Sequence, residues 1–457
     1  MFITKILARI KTFVNSGGER SSRAKKSILR MFVNKGASIF LSLLYVPLFL
    51  SLLDQTRYGI WVTIMSLINW IGFFDIGIGQ GLRNRLAESL ANGDNITSKK
   101  LVSTSYVIMT IIFSIIALIF IILFPHVNWY KVVNAPEILS NEINTVIIIA
   151  LLLQCAHFVL NLFRSILYAC QKPDIASDIH LISQFLSIIV LYVLKYIFAF
   201  DTLIPIALIL TIIPVLVTAI YSVTFFSKEF RFIAPSIRYF DKKYVKSVLM
   251  LGGAFFFIQL ANLLLFQCNN FLISNFISPE AVSEYYIANK YISLLFMLFT
   301  IISTPYWSAV TDAYAKKEFA WIERTKNNLL RIFFIFVIAG CIMVLIAPIF
   351  FKLWIGNKVT IGMWLVVLLT VYNLLQILSN IYLSIINGIG KIRLQLFITI
   401  FQAVIYIPFA MVLCDNLGVD GIVIAGIVMM LINCVIYSIQ CNKLISDAEY
   451  ERNIWYK

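Results

Sequence analysis

NTVIIIALLLQCAHFVLNLFRSILYACQK (residues 144–172) and MWLVVLLTVYNLLQILSNIYLSIINGIGK (residues 363–391) decide the fold. The first carries Gln154, His157, Asn161, Ser165, Tyr168 and Lys172; the second carries Asn373, Gln376, Asn380, Ser384, Asn387 and Lys391, each 219 positions later. Steps of three and four residues align each set along one face of a helix. Most residues between the rungs are Ile, Leu, Val or Phe. A polar stripe on a membrane helix is expected to face a protein interior or an aqueous cavity instead of lipid. Its occurrence twice points to two similar halves around a polar path, a plan used by transporters.

Composition agrees. The chain is 61% hydrophobic and 13% charged, with a mean hydropathy of +0.91. A soluble domain of this length needs far less apolar surface, so a polytopic all-α membrane protein is expected. About twelve segments of roughly 18–25 apolar residues are long enough to span a bilayer. They fall near 30–53, 58–80, 101–124, 144–166, 178–199 and 203–226, then 247–273, 284–307, 329–350, 361–386, 394–414 and 421–441. The first thirty residues are basic and lack a continuous apolar core, so the first span is expected to act as its own insertion signal.

The net charge of +15 raises nucleic acid as a partner, but the distribution argues against it. With the N-terminus placed inside, thirty of the 37 Lys and Arg fall on the inner side. Four (Arg57, Lys131, Lys352, Lys358) fall outside, and three (Lys35, Lys195, Lys290) lie within spans. That partition follows the positive-inside rule, with both termini cytoplasmic. The basicity is therefore read as topology. Seven cysteines are scattered, mostly within spans, and form no CxxC pair or His cluster. They read as small apolar residues, with neither a metal site nor a disulfide framework.

The domain reading is a basic tail over 1–29, a six-helix lobe over 30–226, a basic linker over 227–246, a second six-helix lobe over 247–441 and a tail over 442–457. Within the first tail, Phe2, Ile3, Ile6, Leu7, Ile10, Phe13 and Val14 fall opposite Lys5, Arg9 and Lys11, as in a helix lying on an anionic leaflet. A floppy tail that only enforces topology fits the same residues. An even number of spans per half makes the repeat parallel, about an axis along the membrane normal. A weaker echo pairs Tyr58 with Tyr286 and Ala87 with Ala315, at an offset of 228.

Lys35 and Lys290 are the first candidates for chemistry, because a lysine at mid-membrane costs roughly 2.5–3.5 kcal/mol on insertion scales. Lys35 shares a face with Ser38, Ser42 and Tyr45, and Lys290 with Tyr286, Asn289 and Ser293. Cations facing a cavity would attract an anionic head group; snorkelling to the interface is the competing reading. Asp75 is the acid within a span, suited to proton uptake for coupling or to pairing with a cation; a hydrogen-bonded helix end is the alternative. Gly77, Gly79 and Gly81 follow it with GxGxG spacing at the end of an apolar segment, not as a dinucleotide loop. Gln259, Asn262, Phe266, Asn269 and Asn270 place amides beside an aromatic ring, which suits sugar hydroxyls and suits interhelical hydrogen bonds equally. His157, Asn161, Gln376 and Asn380 are ladder rungs open to the same two readings, cargo binding and structure. Arg164, on the ladder face, has the forked donors that receive phosphate.

NKGASIFLSLLYVPLFLSLLDQTRYGIWVTIMSLINWIGFFDIGIGQGLRNRLAE (residues 34–88) resembles the opening of polysaccharide-transporter flippases. These are O-antigen-type (Wzx-like) members of the multidrug/oligosaccharidyl-lipid/polysaccharide export superfamily. The likeness rests on Tyr45-Val46-Pro47, Tyr58-Gly59-Ile60-Trp61, Asp75-Ile76-Gly77-Ile78-Gly79 and Leu86-Ala87. It implies a V-shaped, MATE-like bundle of two lobes that alternates between inward- and outward-open forms. The first, second, seventh and eighth spans would line its cavity, which adds weight to Lys35, Asp75, Asn262 and Lys290. It also implies a bacterial inner-membrane flippase, not an enzyme, carrying undecaprenyl-pyrophosphate-linked oligosaccharide for O-antigen or capsule. Membrane lipids and a glycan polymerase machinery are the further partners it allows. No cofactor is expected, and H⁺, Na⁺ or membrane potential remain open as coupling sources. A small-molecule antiporter shares the fold. An integral-membrane glycan polymerase or ligase would need a large outer loop, and the longest here, about 125–143, is short.

Overall fold

A computed structural model of the chain describes residues 19–71, 78–197, 202–245, 268–315, 317–391 and 393–446. Fourteen helices of eight or more residues run through them. In the first half they are α1 (Glu19–Leu52), α2 (Gln55–Ile71), α3 (Ile78–Ala91), α4 (Asn95–Leu123), α5 (Ser140–Ala169), α6 (Pro173–Ile197) and α7 (Ile204–Ser227). In the second they are α8 (Asn269–Phe276), α9 (Pro279–Ile292), α10 (Leu294–Ala315), α11 (Phe319–Ile355), α12 (Met363–Ile389), α13 (Arg393–Leu417) and α14 (Val419–Ser446). No strand occurs among the described residues. Among the described residues, ten helical segments are long and apolar enough to cross a membrane. The spans read at 58–80 and 247–273 include residues outside the described set, as does the tail helix read over residues 2–14.

The helices begin and end where the local chemistry directs. Asp94 caps α4 by accepting from the Thr97 N–H at 2.9 Å. Ser278 caps α9 by accepting from the Ala281 N–H at 3.2 Å, with Pro279 at the first helical position. At the end of α12, Gly390 takes φ +85°, a left-handed conformation that a side chain would strain. The span read over 284–307 is two helices, because α9 stops at Ile292 and α10 starts at Leu294.

The described residues gather into two compact units. Unit 1 draws on Met1–Tyr45, Phe74–Val127 and Thr145–Phe255; unit 2 draws on Val46–Phe73, Asn128–Asn144 and Phe256–Lys457. Residues 46–73 and 128–144 thus pack with unit 2 although they precede the basic linker.

In unit 1, α1 and α6 are joined by a polar zipper. Arg30 pairs with Asp174 at 3.4 Å and with Asp178. Asn34 Nδ2 donates to Ser177 Oγ at 2.9 Å and to Asp178 Oδ1 at 2.6 Å. Ser38 Oγ donates to Gln184 Oε1 at 2.5 Å, and Tyr45 OH to the Gln184 carbonyl at 3.1 Å. The polar face read on span 1 is therefore largely occupied by a neighbouring helix. The linker likewise satisfies α4: Ser236 N–H donates to Ser103 Oγ at 3.0 Å, and Asp241 N–H to Thr104 Oγ1 at 3.1 Å. Lys100 Nζ closes the contact on Asp241 Oδ2 at 3.0 Å. That hydrogen bond holds the Asp241 carboxyl below its ordinary value.

Unit 2 is organised around α12, which packs against α14, α10, α11 and α9. The α2–α9 contact is its closest backbone approach: a Cβ on Gly59 would lie 1.7 Å from the Pro279 carbonyl oxygen. Ser283 Oγ donates to the Gln55 carbonyl at 2.7 Å, and the Tyr58 and Tyr286 rings meet edge-on at 6.1 Å. Both pairs are counterparts at the 228-residue offset. A residue meets its own counterpart where equivalent helices face each other across a two-fold axis.

Gly59→Ala is expected to destabilise the protein by about 2 kcal/mol or more, since the Pro279 backbone must move. Gly36→Ala, where a Cβ meets nothing within 4 Å, is expected to be neutral or to stabilise by roughly 0.5–1 kcal/mol through helix propensity. Thermal unfolding in detergent ranks the two. For the linker, Asp241's lowered carboxyl contributes stability present above its unfolded value and lost as pH falls through the folded one. The hydrogen-exchange protection factor across 241–245, relative to the intrinsic rate at each pH, should therefore stay flat from neutral pH through the ordinary carboxylate range and fall only below it. Asp241→Asn should lower protection at neutral pH and converge with wild type at the acid end.

Candidate functional site

The two ladders have the same spacing but different partners. On α12 in unit 2, Asn373 Nδ2 donates to the Leu369 carbonyl of its own helix at 2.9 Å, and Ser384 Oγ to the Ile381 carbonyl at 2.8 Å. Asn380 Oδ1 accepts from Ser303 Oγ of α10 at 3.2 Å. Gln440 of α14 donates to the Lys391 carbonyl at 3.1 Å. Gln376 is half-buried on the same helix. This ladder spends much of its polarity inside the unit, as interhelical and local hydrogen bonds.

On α5 in unit 1 the lower rungs are also engaged. Lys172 pairs with Glu229 at 2.5 Å and lies 5.5 Å from the Phe225 ring centroid. Tyr168 carries the Arg83 guanidinium over its ring at 5.0 Å. The middle of the ladder differs. His157, Asn161 and Arg164 succeed one another at steps of four and three and so share a face. Asn161 Oδ1 and Arg164 Nε are buried and have no hydrogen-bond partner among the described residues.

Three elements converge on that face. Arg164 is the cationic neighbour of both His157 and His180, and Lys35 is a cationic neighbour of His180. The α1–α6 zipper sets this register, because the Asn34–Asp178 and Ser38–Gln184 bonds bracket Lys35 on one helix and His180 on the other. Lys35 and His180 are exposed, and His157 and Arg164 are half-buried. Two cationic side chains and two imidazoles, with one guanidinium N–H that has no partner among the described residues, have the chemistry to receive an oxyanion. Arg164 supplies fixed forked donors, and each imidazole can donate one hydrogen bond.

Of the residues singled out in the sequence, Lys35, His157, Asn161 and Arg164 all belong to unit 1. Lys290, Asn269, Gln376 and Asn380 belong to unit 2, and Asp75 and Asn262 lie outside the described residues. Lys290 sits in the last turn of α9, with its Nζ 6.0 Å from the Tyr286 ring centroid. Asn269 is only 8% exposed and is used at both ends of its amide. Its Nδ2 donates to Tyr285 OH at 3.1 Å, and its Oδ1 accepts from Tyr406 OH at 2.6 Å. It ties α8 to α9 and α13. His180 is the residue that the sequence reading passed over. Its signal was the Ser177, His180, Gln184, Ser187 stripe at steps of three, four and three on α6.

The 219-residue offset makes the asymmetry explicit: the position matching Arg164 is Leu383, and that matching His180 is Thr399. Arg164→Leu is expected to raise the thermal midpoint, by a change worth about 1 kcal/mol, because an imperfectly paired buried cation is removed. Asn380→Leu is expected to lower it, because Ser303 loses its partner.

Comparison with known proteins adds family and fold. A family model described as "Polysaccharide biosynthesis protein" matches residues 24–311, more than half of the chain. A Yersinia pseudotuberculosis protein assigned to O-antigen export is 22% identical over 405 residues, covering 86% of this chain and 90% of that one. A Salmonella typhi protein assigned as an O-antigen transporter is 21% identical over 382 residues, covering 83% and 87%. Among solved structures, an inward-facing multidrug resistance MATE family transporter of the MOP superfamily superposes with a TM-score of 0.77 at 15% identity, covering 93% of this chain and all of that one. A MOP superfamily transporter from Pyrococcus furiosus gives 0.63 at 16% identity, covering 92% and 96%. The fold is therefore that of the MATE/MOP transporters, all-α and multi-pass.

Proposed function

The chain belongs to the polysaccharide biosynthesis protein family, and we propose that it moves a lipid-linked oligosaccharide across the bacterial inner membrane as a flippase, not an enzyme. The observation that carries the reading is the cationic face of unit 1, with Lys35, His157, Arg164 and His180 gathered beside the unpartnered Asn161. Such a face suits the pyrophosphate of an undecaprenyl-pyrophosphate-linked glycan. The relatives assigned to O-antigen export support the same class of cargo. A cationic small molecule, as carried by a drug antiporter, would be repelled by this face.

The residues divide the work by chemistry. Arg164 and Lys35 attract and orient the diphosphate, and His157 and His180 add donors beside it. The hydroxyl-rich glycan meets neutral amides, and the polyprenyl tail stays among lipids. Alternating access exposes the site on one side and then the other. The membrane potential favours the export of negative charge, by about 2.3 kcal/mol per elementary charge per 100 mV. Cationic side chains moving with the cargo would reduce that gain. The inner-side excess of Lys and Arg supports cytoplasmic termini.

The test is reconstitution. Liposomes containing the protein and an undecaprenyl-pyrophosphate oligosaccharide are expected to expose sugar to an external lectin, faster under an inside-negative potential. Arg164→Leu should slow exposure about tenfold or more, in line with losing a charge-assisted contact. Wild-type exposure no faster than in protein-free liposomes, alongside transport of a small cationic dye, would replace this reading with the antiporter.

A further inference from the structure

A second set of unspent polar atoms lies in unit 2, on side chains whose other atoms are engaged in packing. Asn270 begins α8 beside Asn269, yet the two amides are used differently. Asn269 is saturated by Tyr285 and Tyr406, which fixes the start of α8. Asn270 Nδ2 donates to Ser66 Oγ of α2 at 2.9 Å, and Ser66 in turn donates to the Val62 carbonyl at 2.8 Å. That chain of bonds sets the amide's orientation and leaves Asn270 Oδ1 buried with no partner among the described residues.

One turn along α2 from Ser66, Trp70 repeats the pattern. Its ring meets Phe271 edge-on at 5.8 Å, and its Nε1 is buried without a partner among the described residues. An apolar side chain at either position would avoid burying an unmet donor at 70 or an unmet acceptor at 270. Ordinary packing therefore does not account for either side chain.

We infer that Trp70 and Asn270, positioned by Phe271 and Ser66, form a subsite for sugar hydroxyls that the cargo reaches when α2 parts from α8. One N–H donor and one C=O acceptor complement hydroxyl groups, each of which both accepts and donates. The indole offers an apolar face to the C–H side of a sugar ring. None of these four side chains is charged, so the subsite selects a neutral hydroxylated group and not phosphate. The inference rests on the flippase reading above.

The test measures binding to the full-length protein in nanodiscs, with three lipids: bare undecaprenyl pyrophosphate, and the same lipid carrying one N-acetylglucosamine or one galactose. Wild type is expected to bind at least one sugar-bearing lipid more tightly than the bare one. Trp70→Phe, which keeps the ring and removes the N–H, should weaken that binding about five- to tenfold and leave the bare lipid unchanged. Asn270→Leu should do the same, whereas Arg164→Leu should weaken all three. Equal binding of bare and sugar-bearing lipids, or a Trp70→Phe protein indistinguishable from wild type, overturns the subsite while leaving the flippase reading standing. Wild type that binds none of the three overturns both.

Discussion

A polar group inside a membrane-spanning bundle must find a partner in the protein, because the surrounding hydrocarbon offers none. That constraint explains most of the contacts described above. It ties α1 to α6 through Arg30, Asn34, Ser38 and Tyr45, and it threads the Asp241 segment onto Ser103 and Thr104 of α4. It also locks α8 between two tyrosines through Asn269. Each of these residues is polar, lies on an apolar helix or against one, and is used. The informative exceptions are the groups that are not used.

Those exceptions separate two ladders that look alike in the sequence. Spacing alone makes His157 and Gln376, or Asn161 and Asn380, equivalent. In the fold, Asn380 serves α10 while Asn161 has an oxygen with no partner among the described residues. Arg164 answers to a leucine in the other half. The two ladders share a polar register, including a lysine at the last rung of each, but the Arg164 charge occurs only in the first. Pseudo-symmetry thus supplies the architecture, and its local failure marks the candidate binding groups.

Much of the architecture was legible beforehand because hydropathy and helical period are local properties. All twelve apolar segments coincide with or overlap described helices, the one read at 247–273 only over its last five residues, and the echo of Tyr58 with Tyr286 proved to be a physical contact. What was not legible depends on neighbours far along the chain. The Ser38 and Tyr45 face read as cavity lining is engaged by Gln184, some 140 residues away. Asn269 read the same as Asn270, and only the positions of Tyr285 and Tyr406 distinguish a structural amide from a spare one. His180 escaped notice for a related reason. A lone imidazole becomes meaningful only when another helix places Arg164 and Lys35 near it.

The claim on which this account stands is that Arg164 carries an anion-binding face that the second half lacks. Thermal unfolding of nanodisc-embedded protein with added inorganic pyrophosphate tests it without requiring transport or knowledge of the glycan. The account predicts a pyrophosphate-dependent rise in the wild-type midpoint that disappears in Arg164→Leu and persists in Asn380→Leu. A rise that survives in Arg164→Leu, or that vanishes equally in Asn380→Leu, would contradict it.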